Sequence, residues 1–312
     1  MSGTVGHETA SSWPHAVSRY ADLDRPAHYL DFGGPAGAPT IVCVHGLGGS
    51  ALNFGAFGPL LTDTHRVLVL DLYGHGRSAA GDPHADGPET VAALVRQIAQ
   101  FTRAVVNEPH VLVGHSLGGV LAVLHAAEAP MLVHRLVLLD PPVPHRTRLP
   151  LDVKLMAKLA LLKAPGVRGV VARQTARLSP EQVVQRQLEE ATPHAAAIDP
   201  RAVAASVEET RRRADQPGAL DAQLVQWHAI LGTIGILMRA RKWSDRLGEV
   251  PQPTLWLQGE DDLLLPAQNA EASAGDRPAW TYLSRAGVGH LPHLEDPRWT
   301  AETVATWLRG RQ

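Results

Sequence analysis

Apolar residues recur along this chain in short unbroken runs rather than in strict alternation. RVLVLD at residues 66–71, HVLVG at 110–114 and RLVLLD at 135–140 are the clearest. A strand with one wet face alternates apolar and polar positions. A run that is apolar at nearly every position suits a strand buried on both faces, as in a parallel sheet covered by helices. This pattern predicts strands over Ala27–Phe32, Thr40–His45, Arg66–Asp71, His110–Gly114, Arg135–Asp140, Thr254–Gln258 and Trp280–Ser284. Segments of helical period separate them, over Glu89–Val106, Leu117–Glu128, Pro266–Ala274 and Pro297–Arg309. The alternation predicts right-handed βαβ units and an α/β fold with a doubly wound, mostly parallel sheet.

One block breaks the alternation. Residues 141–250 contain no convincing strand. They open on PPVPHRTRLP, close on PQP, and hold amphipathic pieces such as EQVVQRQLEEA and LDAQLVQWHAILGTIGILMRA. Proline-rich borders around an all-helical stretch predict an inserted helical cap. The expected organisation is therefore an N-terminal extension at 1–24, an α/β core at 25–140 and 251–312, and the cap at 141–250.

Composition narrows the function classes. The 312 residues are 45% hydrophobic, enough for a substantial core, and the formal charge is −2. Neither sign dominates, so nothing draws nucleic acid or an anionic membrane surface to the chain. The lone cysteine, Cys43, cannot form an internal disulfide and lies in the apolar run TIVCV, where a buried strand residue is expected. There is no metal-binding signature, and no cofactor is expected. The first residues lack a basic segment followed by an apolar one, and the apolar run at Ala229–Met238 is too short to span a bilayer. A cytoplasmic protein is expected.

The candidate chemistry starts at Gly114-His115-Ser116-Leu117-Gly118, which joins an apolar strand to a helical run. A serine hydroxyl is a weak nucleophile at neutral pH and needs both exposure and a base. A tight strand–turn–helix elbow supplies the exposure, and small residues on either side let backbones approach. With 12 serines and 28 glycines in 312 residues, chance predicts roughly 0.1 such motifs. The match carries weight because its context is also right.

Two later loops offer partners. The segment Gly287-Val288-Gly289-His290-Leu291-Pro292-His293 follows a predicted strand, so its histidines can reach the sheet edge where open α/β folds place their sites. His290 directly follows a glycine and is preferred; His293 competes. Gly259-Glu260-Asp261-Asp262 follows the strand before it. Asp262 is the preferred acid to orient the histidine, and Asp140, at the end of RLVLLD, is the alternative. The chain order Ser116, Asp262, His290 is that of a strand-elbow hydrolase rather than of the two main protease folds.

A third loop, His45-Gly46-Leu47-Gly48-Gly49, follows the strand TIVCV. It contains neither phosphate-cradling glycine pattern, so its expected role is to present a backbone N–H to a substrate oxygen. The N–H groups of Leu47 and Leu117 would then form a two-donor oxyanion hole. His45 is expected to tie that loop down, and His75 and Arg77 to brace the turn after Asp71. Gly46, His115 and Trp227 are candidates to line the substrate pocket. Trp227, His228 and Met238 are placed on cap helices, with core packing as their default.

Together these segments resemble the α/β-hydrolase family of capped esterases, lipases and related hydrolases. HGLGG resembles its oxyanion loop, DLYGHGRS its D-x-x-G-x-G-x-S turn, GHSLGG its elbow, GEDDLLLP its acid loop and GHLPHLEDP its histidine loop. The resemblance runs from about Ala27 to Leu308. It implies Ser116, Asp262 and His290 as a catalytic triad, Leu47 and Leu117 as oxyanion donors, and a small-molecule acyl substrate. Members with an aspartate nucleophile are disfavoured by Ser116. The family also includes lactonases, thioesterases, C–C bond hydrolases, cofactor-free haloperoxidases and receptors that keep the triad, so the fold alone does not fix the reaction. The apolar faces of the cap helices predict a mostly apolar pocket. The run Arg211-Arg212-Arg213 is expected to be solvated, which disfavours charged substrates.

Overall fold

A computed structural model describes residue 13 and residues 16–79, 91–143, 177–216 and 219–310. Eight strands form one sheet in the order β1-β2-β4-β3-β5-β6-β7-β8. These are β1 (Val17–Asp22), β2 (Pro26–Asp31), β3 (Thr40–Val44), β4 (Arg66–Leu70), β5 (His110–His115), β6 (Val133–Leu139), β7 (Thr254–Gly259) and β8 (Thr281–Arg285). β1 and β2 form an antiparallel hairpin, and β2 pairs antiparallel with β4. From β4 through β8 every pairing is parallel.

The unbroken apolar runs have the expected cause. Alternate residues point to opposite faces, and both faces are covered. Val42, Val44, Leu68, Leu70, Leu112, Leu136, Leu138 and Trp256 join the core on one side. Ile41, Cys43, Val67, Val69, Val113, Val137, Leu139 and Leu257 join the core on the other. Each such side chain contributes about 1.5–3 kcal/mol by leaving water. Cys43 is fully buried, and burial pushes its thiol pKa up, so it stays an inert apolar residue.

Helices α1 (Val91–Phe101) and α2 (Leu117–Glu128) come from the segments with helical period. α1 runs into a π-helical turn at Thr102–Val106 and ends where Asn107 turns left-handed at φ 53°. Between β6 and β7 lie α3 (Pro180–Ala191), α4 (Pro200–Ala214), α5 (Ala219–Leu237) and α6 (Ala240–Gly248). Ser179 starts α3 with a capping box, accepting from Gln182 N while the Gln182 side chain reaches back to the Ser179 N–H. The chain closes with α7 (Ala267–Gly275), α8 (Pro292–Glu295) and α9 (Pro297–Arg309).

Two sequence expectations change. Residues 17–22, assigned to an N-terminal extension, are the edge strand β1. Its inward positions are Ser18 and Ala21, and Ser18 bonds His28 Nε2 at 2.6 Å, so the strand carries no apolar alternation to read. Met238 lies just beyond α5 and is exposed rather than packed. The expected apolar positions Leu155, Leu159 and Leu162 lie outside the described residues.

Candidate active site

The chain runs outward from β3 to β4 and then returns to β5 on β3's other side. Such a reversal opens a crevice at the carboxyl ends of the strands. Gly46 and Leu47 follow β3, Ser116 follows β5, Asp140 follows β6, Asp262 follows β7 and His290 follows β8. Topology alone therefore brings every candidate to one edge.

Ser116 occupies the turn between β5 and α2 at φ 50°, ψ −117°, a conformation side chains rarely adopt. Its N–H donates to Leu139 O at 2.9 Å, and its carbonyl accepts from Gly119 N at 2.9 Å. The elbow packs so tightly on β3 that a Cβ at Gly118 would stand 2.3 Å from Val44 O. The surrounding fold holds Ser116 in its strained turn, as expected of a functional site. Across the crevice, a Cβ added to Gly46 would lie 3.1 Å from Ser116 Cβ, so the loop after β3 sits directly against the serine.

His45 fixes that loop. Leu72 N donates to His45 Nε2 at 3.1 Å, which leaves Nδ1 as the protonated nitrogen, 2.7 Å from Gly46 O. Burial lowers the His45 pKa, in keeping with a neutral ring. Asp71 secures the next layer, accepting from Ala51 N, Arg77 N and His28 Nδ1. Burial opposes ionisation of Asp71, but its hydrogen bond and charge pairing with His28 hold its pKa well below the usual carboxylate range. His75 bonds Tyr73 O within the same turn.

Asp262 and His290 form a directed pair. Asp262 Oδ2 lies 2.7 Å from His290 Nδ1, and both side chains are almost wholly buried. The carboxylate also accepts from Leu264 N and Leu265 N at 2.8 Å each and from Gln258 Nε2 at 3.2 Å. A carboxylate so saturated with donors requires Nδ1 to carry the imidazole proton, leaving Nε2 basic. His290's backbone is held too: its carbonyl bonds His115 Nε2 at 2.8 Å. Glu295 closes the loop, accepting from Gly289 N, Leu291 N and Thr192 Oγ1. The competing His293 is fully buried, stacks on Phe54 at 4.6 Å, and its burial lowers its pKa to about 3.

Asp140 ends β6 at φ 44° and is completely buried. Its Oδ1 accepts from Gly259 N at 2.8 Å. Burial, and then the Asp262 charge, raise its pKa well above the carboxylate range. Among the described residues, Asp140, Asp262 and His290 are the one group of side chains spaced closely enough to share a cation, with ligand atoms within 4.8 Å. Within this group His290 Nδ1 is already bonded to Asp262, and Asp140 to Gly259 N.

A cavity of about 470 Å³ opens over these residues. Gly46, Leu47, His115, Ser116, Leu117 and His290 line its floor. α3 contributes Val184 and Leu188, α4 Ala202 and Val203, and α5 Ile230, Ile234 and Leu237. The side chain of Trp227, a pocket candidate, lies outside the described residues, although its neighbours Gln226 and Ile230 line the cavity. Residues that sequence reasoning missed are Glu295, Thr192 and Gln258, which hold the histidine and acid loops, and Arg213, which lines the cavity.

The sheet order, the strained elbow and the convergence of loops at one edge define a hydrolase-type α/β protein. A family model described as alpha/beta hydrolase fold matches residues 39–297, and the chain belongs to that family. It is 32% identical over 245 residues to the "Putative carbamate hydrolase RutD" of Variovorax paradoxus (strain S110), covering 77% of this chain and 80% of that one. It is 27% identical over 304 residues to the magnesium-chelatase 30 kDa subunit of Rhodobacter capsulatus, covering 96% and 98%. Among solved structures it resembles a "putative lipase (lip1)" from Acinetobacter baumannii AYE, with TM-score 0.74, 21% identity and 97% of each chain covered. Among the described residues, no helix is long and apolar enough to cross a membrane.

Proposed function

We propose that the protein hydrolyses a carboxylic ester or related acyl bond through an acyl-enzyme. Ser116 is the nucleophile, His290 the base, Asp262 the acid that orients the base, and the N–H groups of Leu47 and Leu117 the oxyanion donors. The observation that carries this reading is the 2.7 Å Asp262–His290 contact at the rim of the cavity that Ser116 also lines. With Nδ1 protonated, Nε2 is free to take the Ser116 proton as Oγ attacks the carbonyl carbon. The oxyanion that forms meets the two N–H groups at the loop after β3 and the start of α2, each worth ~3 kcal/mol of barrier. The leaving alcohol takes the proton from His290. Water then attacks the acyl-enzyme by the same base and releases the acid.

The helices between β6 and β7 act in this reading as a cap that roofs an apolar substrate pocket. The experiment is labelling with a fluorophosphonate followed by mass spectrometry. One adduct is expected, on Ser116, with loss of p-nitrophenyl butyrate turnover in Ser116→Ala. An active protein that is labelled elsewhere, or equal rates for the two proteins, would remove the assignment. Carbamates belong in the same substrate panel, because attack on their carbonyl needs the same donors and a relative carries that activity in its name.

A further inference from the structure

Among the described residues, Arg213 is the one arginine or lysine on the cavity wall, and nothing in the proposed hydrolytic chemistry uses it. The run Arg211-Arg212-Arg213, expected to be solvated, is not. Successive residues of a helix point about 100° apart, so three in a row cannot all face water when the helix packs on a core. Arg211 is the solvated one, paired with Glu181 and Glu208. Arg212 turns inward, donating to Gly76 O at 2.7 Å and pairing with Glu209. Arg213 turns furthest and lines the cavity that also holds Ser116 and His290.

Among the described residues, Arg213 has no salt-bridge partner, although the charges of Glu209 and Asp71 act on it. Its Nη1 is sealed from solvent without an acceptor, and among the described residues the side chain makes neither a hydrogen bond nor an ion pair. The nearby carboxylates are engaged elsewhere. Glu209, itself buried, pairs with Arg212 and lies 3.6 Å from Arg77. Asp71 is taken by His28 and two backbone N–H groups. A half-buried guanidinium with one nitrogen sealed from solvent and unbonded is unfavourable unless something anionic joins it. Burial, the largest influence, lowers the Arg213 pKa, which is the direction expected of a cation awaiting a partner. Apart from Arg213, the charged groups on the cavity wall among the described residues are the carboxylates Glu190 and Glu209, neither of which an anion would seek.

We propose that Arg213 receives a carboxylate carried by the substrate, so that the preferred substrate is an apolar ester with a free acid group. This rests on the hydrolase reading above for the ester but not for the acid. A planar guanidinium matches a carboxylate in two-point geometry, whereas an isolated apolar pocket would reject it. The apolar walls from α3, α4 and α5 hold the body of the substrate, and Arg213 fixes its orientation relative to Ser116.

The test uses matched pairs: p-nitrophenyl hexanoate against the mono-p-nitrophenyl ester of adipic acid, and a second pair with the carboxylate on the alcohol side. In the wild-type protein at least one pair should favour the carboxylated ester by about tenfold or more in kcat/KM. Arg213→Gln should collapse that ratio toward one, with Arg213→Lys between. Preference for the neutral ester in both pairs overturns the proposal without reference to any variant, and so does a preference that survives in Arg213→Gln. Adipate itself is the probe that does not depend on catalysis. It should raise the melting temperature of Ser116→Ala, and the double variant with Arg213→Gln should lose that shift. No shift with adipate, or equal shifts in both proteins, sinks the carboxylate site even if every ester is hydrolysed. A normal adipate shift with no ester turnover would instead sink the hydrolase reading alone.

Discussion

Asp140 and Asp262 lie together at the carboxyl edge of the sheet, with a carboxylate oxygen of each within 4.8 Å of the other. Burial, and then the Asp262 charge, raise the Asp140 pKa well above the usual carboxylate range, while Asp262 accepts from His290, Gln258 and two backbone N–H groups. In the proposed reading the two carboxyls that competed as the orienting acid therefore have different tasks: Asp262 aligns the imidazole, and Asp140 holds the Gly259 N–H.

Asparagine should separate those tasks. Asp262→Asn offers the imidazole an amide in place of a carboxylate, favours the wrong tautomer and should cut kcat by about 10³–10⁴-fold with the fold intact. Asp140→Asn keeps an oxygen for Gly259 N, and asparagine tolerates φ 44°. Its loss should stay within about tenfold. Steady-state kinetics with p-nitrophenyl butyrate and circular dichroism check both; a larger loss in Asp140→Asn would reverse the assignment.

Glu295 should matter to kcat although it is remote from the reacting atoms. Oε2 accepts from Thr192 Oγ1 at 2.7 Å and Gly289 N at 2.8 Å, and Oε1 accepts from Leu291 N at 2.8 Å. Glu295→Gln sets an NH₂ against donors at one of those sites, and the loop carrying His290 must shift. Misplacement by about 1 Å costs about 10²-fold, so kcat should fall by 10- to 100-fold with KM less affected. An unchanged kcat would show that the loop is held by other contacts.

Much of this site was legible because its positions are short and local. The elbow, the glycine loop and the acid and histidine loops each sit next to an apolar strand, and the strand period gives their common edge. What could not be read depends on long-range contact. β1 is a strand only because it pairs with β2 and because His28 satisfies Ser18. Glu295 becomes a loop anchor only when Thr192, 103 residues away in sequence, arrives beside it. The arginine run misled for the same reason. Its composition suggests a wet face, but α4 packs so that Arg213 faces the cavity. A helical projection that placed 211, 212 and 213 at 100° steps would have given the warning.

Buried neutral histidines predict acid sensitivity above the range where carboxylates titrate. Burial lowers the pKa of His75 and His293 to about 3, and that of His115 well below its ordinary value. In the unfolded chain they protonate near 6.5. The stability they contribute is thus complete above about pH 6.5 and is lost as the pH falls toward 3, at up to ~1.4 kcal/mol per pH unit for each. Asp140, with its raised pKa, works in the opposite sense, since its contribution falls as pH rises. The clean observable is therefore a difference between proteins. Among the described residues, neither nitrogen of His293 has a hydrogen-bond partner, so His293→Leu breaks no such bond there. Urea unfolding at pH 7.5, 6.0 and 5.0 should show a shallower loss of stability in His293→Leu than in wild type. Parallel curves would mean that His293 is charged in the folded protein.

Chain length along the acyl series tests the walls of the cavity independently of its cation. Val184, Leu188, Ile230, Ile234 and Leu237 are apolar and belong to helices that meet over Ser116. Each methylene buried against them should contribute ~0.8 kcal/mol, or about fourfold in kcat/KM if the transition state keeps the contact. The neutral p-nitrophenyl series from acetate to hexanoate should therefore rise steadily. It should level off once the chain outgrows the 470 Å³ available. Ile230→Trp narrows the roof and should lower the hexanoate-to-acetate ratio by about tenfold, since overpacked cavities accept added methylenes poorly. A series that is flat or falling in the wild-type protein would mean that the acyl chain does not enter this space. The apolar cavity would then house the alcohol portion instead, and the series to run next would vary the leaving group at fixed acyl length.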